Sequence, residues 1–165
     1  MRARVLGVVA LVATLLVDPA RAGEWGGIVP GETTTGAVRL RYGAPTRTRK
    51  ELIQAYDTTQ WIYEGPQAPP GMRRMTVDFG LLSPSGYKGE VVRSLRLEPT
   101  LGAFNRPLIL QGWGTPSRIG REKDADVYFY SEGLFVYFKP NGVEIDFMLF
   151  TPPQPQPTDA GGRRP

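Results

Sequence analysis

Two Gly-x-Pro triplets, Gly43-Ala44-Pro45 and Gly114-Thr115-Pro116, stand 71 residues apart, and each closes a similar stretch of chain. The same offset pairs Gly31 with Gly102, Thr34 with Asn105, Val38 with Ile109 and Tyr42 with Trp113. Each stretch therefore reads glycine, capping residue, β-branched residue, aromatic residue, glycine, proline. Its physical content is a short helix. Thr and Asn side chains accept the unpaired N–H groups of a first turn. The β-branched and aromatic positions, four apart, share one helical face. Glycine then supplies a left-handed stop, and proline prevents the helix from resuming. So short a helix is marginal by itself and must be packed on a sheet.

Strand-like runs follow each stop in the same order. After the first come Gln60-Trp61-Ile62-Tyr63, then Met75 to Phe79, then Val91 to Leu97. In the second of these Met75, Val77 and Phe79 alternate with Thr76 and Asp78, the period of a half-buried strand. After the second stop, Tyr128-Phe129-Tyr130 takes the place of Trp61-Ile62-Tyr63. Val136 and Phe138 match Val77 and Phe79, and Val143 to Phe150 replaces the Val91 to Leu97 run. The polar stretch from Thr46 to Asp57 reads as a second short helix or an edge strand. Gly65 to Gly71 and Ser83 to Gly86 are loops whose prolines cannot join a ladder. Matched caps and stops followed by matched strands indicate an internal duplication. The expected fold is α+β: two tandem units, each a short helix or helix pair packed on a three-stranded antiparallel β-sheet. The first unit covers residues 23–99 and the second 100–152.

The termini lie outside that pattern. Arg2 and Arg4 precede an apolar run from Val5 to Val17, broken by Asp18-Pro19 and followed by Ala20-Arg21-Ala22. A bilayer-spanning helix needs about 20 apolar residues. Residues 1–22 are therefore expected to be a cleavable signal peptide, making the protein periplasmic or secreted. Its removal takes away much of the formal net charge of +4, and no Lys/Arg cluster remains to suit a nucleic-acid partner. With no cysteine in the chain, neither a disulfide nor an acylated N-terminal lipid anchor is available. No transmembrane segment is expected after cleavage. Residues 153–165, rich in Pro and Gly, are expected to be a disordered tail.

The chain holds neither His nor Cys, so the commonest general base, the thiol nucleophile and the usual zinc ligands are missing. Glu122, Asp124 and Asp126 form the densest acidic group, and beside Arg121 and Lys123 they read as a solvated turn rather than a metal site. Gly112-Trp113-Gly114 lacks the Lys-Ser/Thr of a phosphate loop. No catalytic residue, metal or cofactor is expected, and the protein is expected not to be an enzyme.

The Pro30-Gly31-Glu32-Thr33-Thr34 turn, Val38, Tyr42-Gly43-Ala44-Pro45 and Trp61-Ile62-Tyr63 resemble the SmpA/OmlA family, small outer-membrane assembly lipoproteins of the BamE type. The resemblance implies one or two short helices on a three-stranded sheet. In tandem the layout is similar to β-lactamase inhibitory proteins, which implies a concave protein-binding surface. No lipidation cysteine is present, so anchoring is not implied.

The last three runs are apolar on both faces. Val127 and Phe129 oppose Tyr128 and Tyr130, Leu134 to Phe138 loads both sides, and Met148 and Phe150 oppose Ile145, Phe147 and Leu149. A sheet wet on one side should carry a polar face. The extra face either packs on the other unit, or binds a protein, or lines a groove for a lipid or glycan. Trp61, Tyr63, Tyr128, Tyr130, Phe135 and Tyr137 are the candidate partner-binding residues. The expected role is a non-catalytic envelope scaffold or assembly module that binds another envelope protein. Alternatives are a carrier of a small hydrophobic ligand or lipid, an enzyme inhibitor, and a hydrolase.

Overall fold

Both capped turns become helices of eight residues, α1 (Thr35–Tyr42) and α2 (Arg106–Trp113). Thr34 Oγ1 accepts from Ala37 N, and Asn105 Oδ1 accepts from Leu108 N. Gly43 and Gly114 end them at a φ of 74° each, where a Cβ would be strained. Each helix buries one β-branched residue, Val38 or Ile109, against the sheet. The structure is a computed structural model and describes residues 23–153. The expected signal peptide lies outside those residues, as does the expected tail beyond Pro153.

Eight strands follow the helices: β1 (Arg47–Ile53), β2 (Tyr56–Glu64), β3 (Met72–Ser83) and β4 (Gly86–Pro99) after α1, then β5 (Arg118–Glu122), β6 (Ala125–Tyr130), β7 (Leu134–Phe138) and β8 (Ile145–Phe150) after α2. They form one antiparallel sheet in the order β1-β2-β3-β4-β8-β7-β6-β5. The expected pair of three-stranded sheets under helices is thus incorrect. Among the described residues the protein is mostly β, with two short α-helices lying on a single eight-stranded sheet. The SmpA/OmlA resemblance falls with it, because its three-stranded unit is not what this chain builds.

β5 has no counterpart among the expected strands, and β1 takes the edge-strand alternative of the Thr46 to Asp57 stretch; the cause of the weak signal in both is physical. β1 is exposed at nearly every position, Arg47 to Leu52, and β5 is exposed except at Gly120. Edge strands meet solvent on their outer side and are commonly charged to discourage further pairing, so they carry no apolar alternation to detect. The merging of the two sheets was also invisible, since it depends on β4 pairing with β8.

That seam has a local two-fold character. Trp61 pairs with Val77 as Tyr128 pairs with Val136, and Val77 pairs with Leu95 as Val136 pairs with Met148. Leu95, Arg96 and Leu97 are therefore the counterparts of Met148, Leu149 and Phe150. Across the seam Leu95 faces Phe150, Leu97 faces Met148 and Arg96 faces Leu149, so the axis passes through the Arg96–Leu149 pair. Packing follows the same correspondence. Trp61 meets Phe79 edge-on at 4.8 Å, and Tyr128 meets Phe138 edge-on at 4.8 Å. Tyr63 Oη donates to Gly43 O and Tyr130 Oη to Gly114 O, at 3.2 and 3.0 Å.

The core lies between the helices and one sheet face. Tyr63, Met75, Val77, Phe79, Leu95 and Leu97 from the first four strands are buried there beside Leu134, Val136, Phe138, Met148 and Phe150 from the last four. The N-terminal arm closes one side, with Ile28 buried and Trp25 stacked on Tyr42, whose hydroxyl donates to Gly26 O. Arg106 fastens the β7–β8 loop, donating to Gly142 O, Tyr128 Oη and Asp126 Oδ2.

Candidate functional site: the uncovered sheet face

The second face of the sheet carries no helix among the described residues; Ile62, Thr76 and Val127 are buried there by their neighbours, and the other side chains assigned below are half-buried or exposed. Register assigns them directly. One cross-strand row reads Arg47, Ile62, Thr76, Arg96, Leu149, Phe135, Phe129, Arg118 from one edge to the other. A parallel row holds Gln60, Asp78 and Ser94 in the first half, and Phe147, Tyr137 and Val127 in the second.

The two-fold correspondence matches Thr76 with Phe135, Asp78 with Tyr137 and Ser94 with Phe147. One fold therefore builds the same surface twice with opposite chemistry. In the first half Asp78 accepts from Gln60 Nε2 at 2.8 Å and from Ser94 Oγ at 2.7 Å, a polar network. In the second half Tyr137 stacks on Phe147 at 4.2 Å, and Phe129 meets Phe135 edge-on at 5.4 Å. Phe129, Phe135, Tyr137, Phe147 and Leu149 are all half-buried, open to solvent on the outer side.

Two arginines border this aromatic patch. The Arg96 guanidinium sits 3.6 Å from the Phe147 ring centre, and that of Arg118 lies 4.4 Å from the Phe129 ring centre. Cation–π attraction holds both groups over the rings. Arg96 also reaches Glu98, a carboxylate shared with Arg73 and Arg74. The Tyr137 phenol is pushed above its ordinary value, first by burial and then by the neighbouring Glu122 carboxylate. It remains protonated at neutral pH, its hydroxyl engaged with Glu122.

The six candidate residues do not form one face. Tyr63, Tyr128 and Tyr130 are buried under the helices, with 0%, 4% and 4% of their surface exposed. Their hydroxyls are engaged inside the fold, with Gly43 O, Arg106 and Gly114 O respectively. Trp61 is half-buried on that same helix-covered side, with the Arg39 guanidinium 5.7 Å from its ring. Phe135 and Tyr137 point the other way, into the uncovered patch. Phe129, Phe147, Leu149, Arg96 and Arg118 belong to that patch and were not among the six. Part of their signal was present in the alternation: Phe135, Tyr137 and Phe147, out of phase with Val136 and Met148, are aromatic where the matched first-half residues Thr76, Asp78 and Ser94 are polar.

No family model and no curated protein matches the chain. Residues 23–153 form a mostly-β protein of one antiparallel sheet, with helices on one face and an aromatic patch on the other. Among solved structures it is similar to a DUF4309 family protein, YjgB, from Bacillus subtilis, at 13% identity. The match covers 77% of this chain and 83% of that one, with a TM-score of 0.49. Among the described residues no helix is long and apolar enough to cross a membrane, and no group of three or more His, Cys, Asp or Glu is disposed to hold a metal ion.

Proposed function

We propose that this is an exported, non-catalytic protein-binding module whose interaction surface is the uncovered aromatic face of the second half. The observation that carries the reading is the internal comparison. At matched positions the fold is satisfied by Thr76, Asp78 and Ser94, so Phe135, Tyr137 and Phe147 are not demanded by the architecture. Clustered aromatic side chains bordered by arginine are the composition enriched at protein interfaces. The surface is built from strands, and its residues line neither of two cavities formed among the described residues, which suits another protein better than an enclosed lipid chain. Export rests on the sequence of residues 1–22.

The test is site-specific photo-crosslinking in cells that export the protein. A benzophenone side chain at position 135 or 147 is expected to give discrete adducts with a second protein. The same probe at Thr48, on the other face of β1, should give none. Adducts equally frequent at all three positions, or unchanged when Tyr137→Asp is added, refute the assignment.

A further inference from the structure

The first half extends beyond its counterpart. β3 and β4 have 12 and 14 residues, where β7 and β8 have 5 and 6. Together the β1–β2 and β3–β4 hairpins project past the rest of the sheet. Between their tips lies a half-open cavity of about 270 Å³. It is walled by Ile53, Tyr56, Leu81, Leu82 and Tyr87, with Arg93 as its one cationic lining residue.

Three features build this cavity. Tyr56 and Tyr87 stack at 4.5 Å, forming an aromatic wall from two hairpins. Gly80, at a φ of 98°, has no side chain where the Tyr87 ring crosses β3, and Tyr87 Oη reaches across to donate to Asp57 O. Finally, the β3–β4 ladder passes from Asp78–Ser94 to Phe79–Val92, so Arg93 sits at a bulge outside the pairing. Bulges re-aim side chains, and this one lets Arg93 line the cavity. Among the described residues Arg93 makes no ion pair. At the matching bulge in the second half stands Asp146, which is exposed. Because the second half lacks both hairpin extensions, the first half's core does not need them.

We propose that this cavity binds a small amphiphilic monocarboxylate, its aliphatic or aromatic body against the Tyr56–Tyr87 wall and its carboxylate on Arg93. A guanidinium matches a planar carboxylate with two parallel hydrogen bonds. A single cation neutralises a single negative charge, which disfavours dianionic phosphates. This site is separate from the aromatic face and stands whether or not that face binds a protein.

Isothermal titration of the purified protein with phenylacetate, and with phenethyl alcohol as its neutral counterpart, tests the assignment. Phenylacetate should saturate one site, and the alcohol should bind about tenfold more weakly or worse. Arg93→Gln should reduce phenylacetate to the level of the alcohol, while Tyr137→Ser leaves its affinity unchanged. In unaltered protein, amide NMR shifts on phenylacetate addition should centre on Tyr56, Thr58, Gly80 and Tyr87, a readout that does not depend on any variant folding. Absence of saturable binding, equal affinity for the alcohol, or shifts centred elsewhere overturns the proposal.

Discussion

Removing the hydroxyls of Tyr63 and Tyr130 tests both the packing and the two-fold correspondence. Each phenol reaches through the core to the terminal carbonyl of its helix, Gly43 O or Gly114 O. Tyr→Phe at either site deletes one buried hydrogen bond and leaves the acceptor in place, a cost of about 1 kcal/mol. The two residues lie on β2 and β6, five strand spacings apart in the sheet order, roughly 24 Å at ~4.8 Å per strand. At that separation the losses should add, so the double variant should lose about 2 kcal/mol, or about 8 °C in melting temperature.

A second signature comes from titration. Burial, the dominant cause in both, raises the Tyr63 and Tyr130 phenols from 10.0 to about 12. Between those values the folded state keeps a proton that the unfolded chain has released. The associated stability is therefore complete below about pH 10 and is lost as pH rises toward 12. Urea unfolding between neutral pH and pH 11 should show this decline in the unaltered protein and a shallower one in the double variant. If either single variant costs nothing, if the pair is far from additive, or if the alkaline slope is unchanged, the placement of these hydroxyls is wrong.

Two further outcomes are expected. Gly80→Ala should destabilise by about 1–3 kcal/mol, since a Cβ there meets Tyr87 Oη and φ is 98°; denaturation midpoints check it, and adding Tyr87→Ala should recover only the clash, not the backbone strain. Replacing Phe135 and Tyr137 by Thr and Asp, the residues at the matched first-half positions, should abolish the crosslinks described above. That variant should keep a cooperative thermal transition; its loss would mean that the aromatic face is needed for folding.

How much of this was legible depended on which side of each residue met protein. The helices could be read because their signals are local: Thr34 and Asn105 cap, Gly43 and Gly114 stop, and both act on backbone within a turn. The central strands β2, β3, β6 and β7 were legible as β-branched and aromatic runs between turns, and β3 also by the period of two that burial on one face imposes, as in Met75, Val77 and Phe79. β5 was not, and β1 was legible only as one of two alternatives, because Arg47 to Leu52 and Arg118 to Glu122 have too little buried surface to impose any period. The candidate aromatic residues were half legible for a related reason. Alternation separated Tyr128 and Tyr130 from Phe129, but one dimension cannot say which of the two faces the helices cover.

By itself, then, the sequence determined that two similar helix-and-strand stretches follow one another, that the chain has no His or Cys chemistry, and that the second stretch is apolar on both faces. Only the tertiary structure decided that the two stretches join edge to edge through Leu95–Leu97 and Met148–Phe150, rather than packing face to face. The reason is that edge pairing is carried by backbone N–H and C=O groups, which every residue possesses. A side-chain pattern cannot announce it. Once that seam forms, both helices fall on the same side, Tyr63 and Tyr130 are sealed beneath them, and Phe135, Tyr137 and Phe147 are left on the open side.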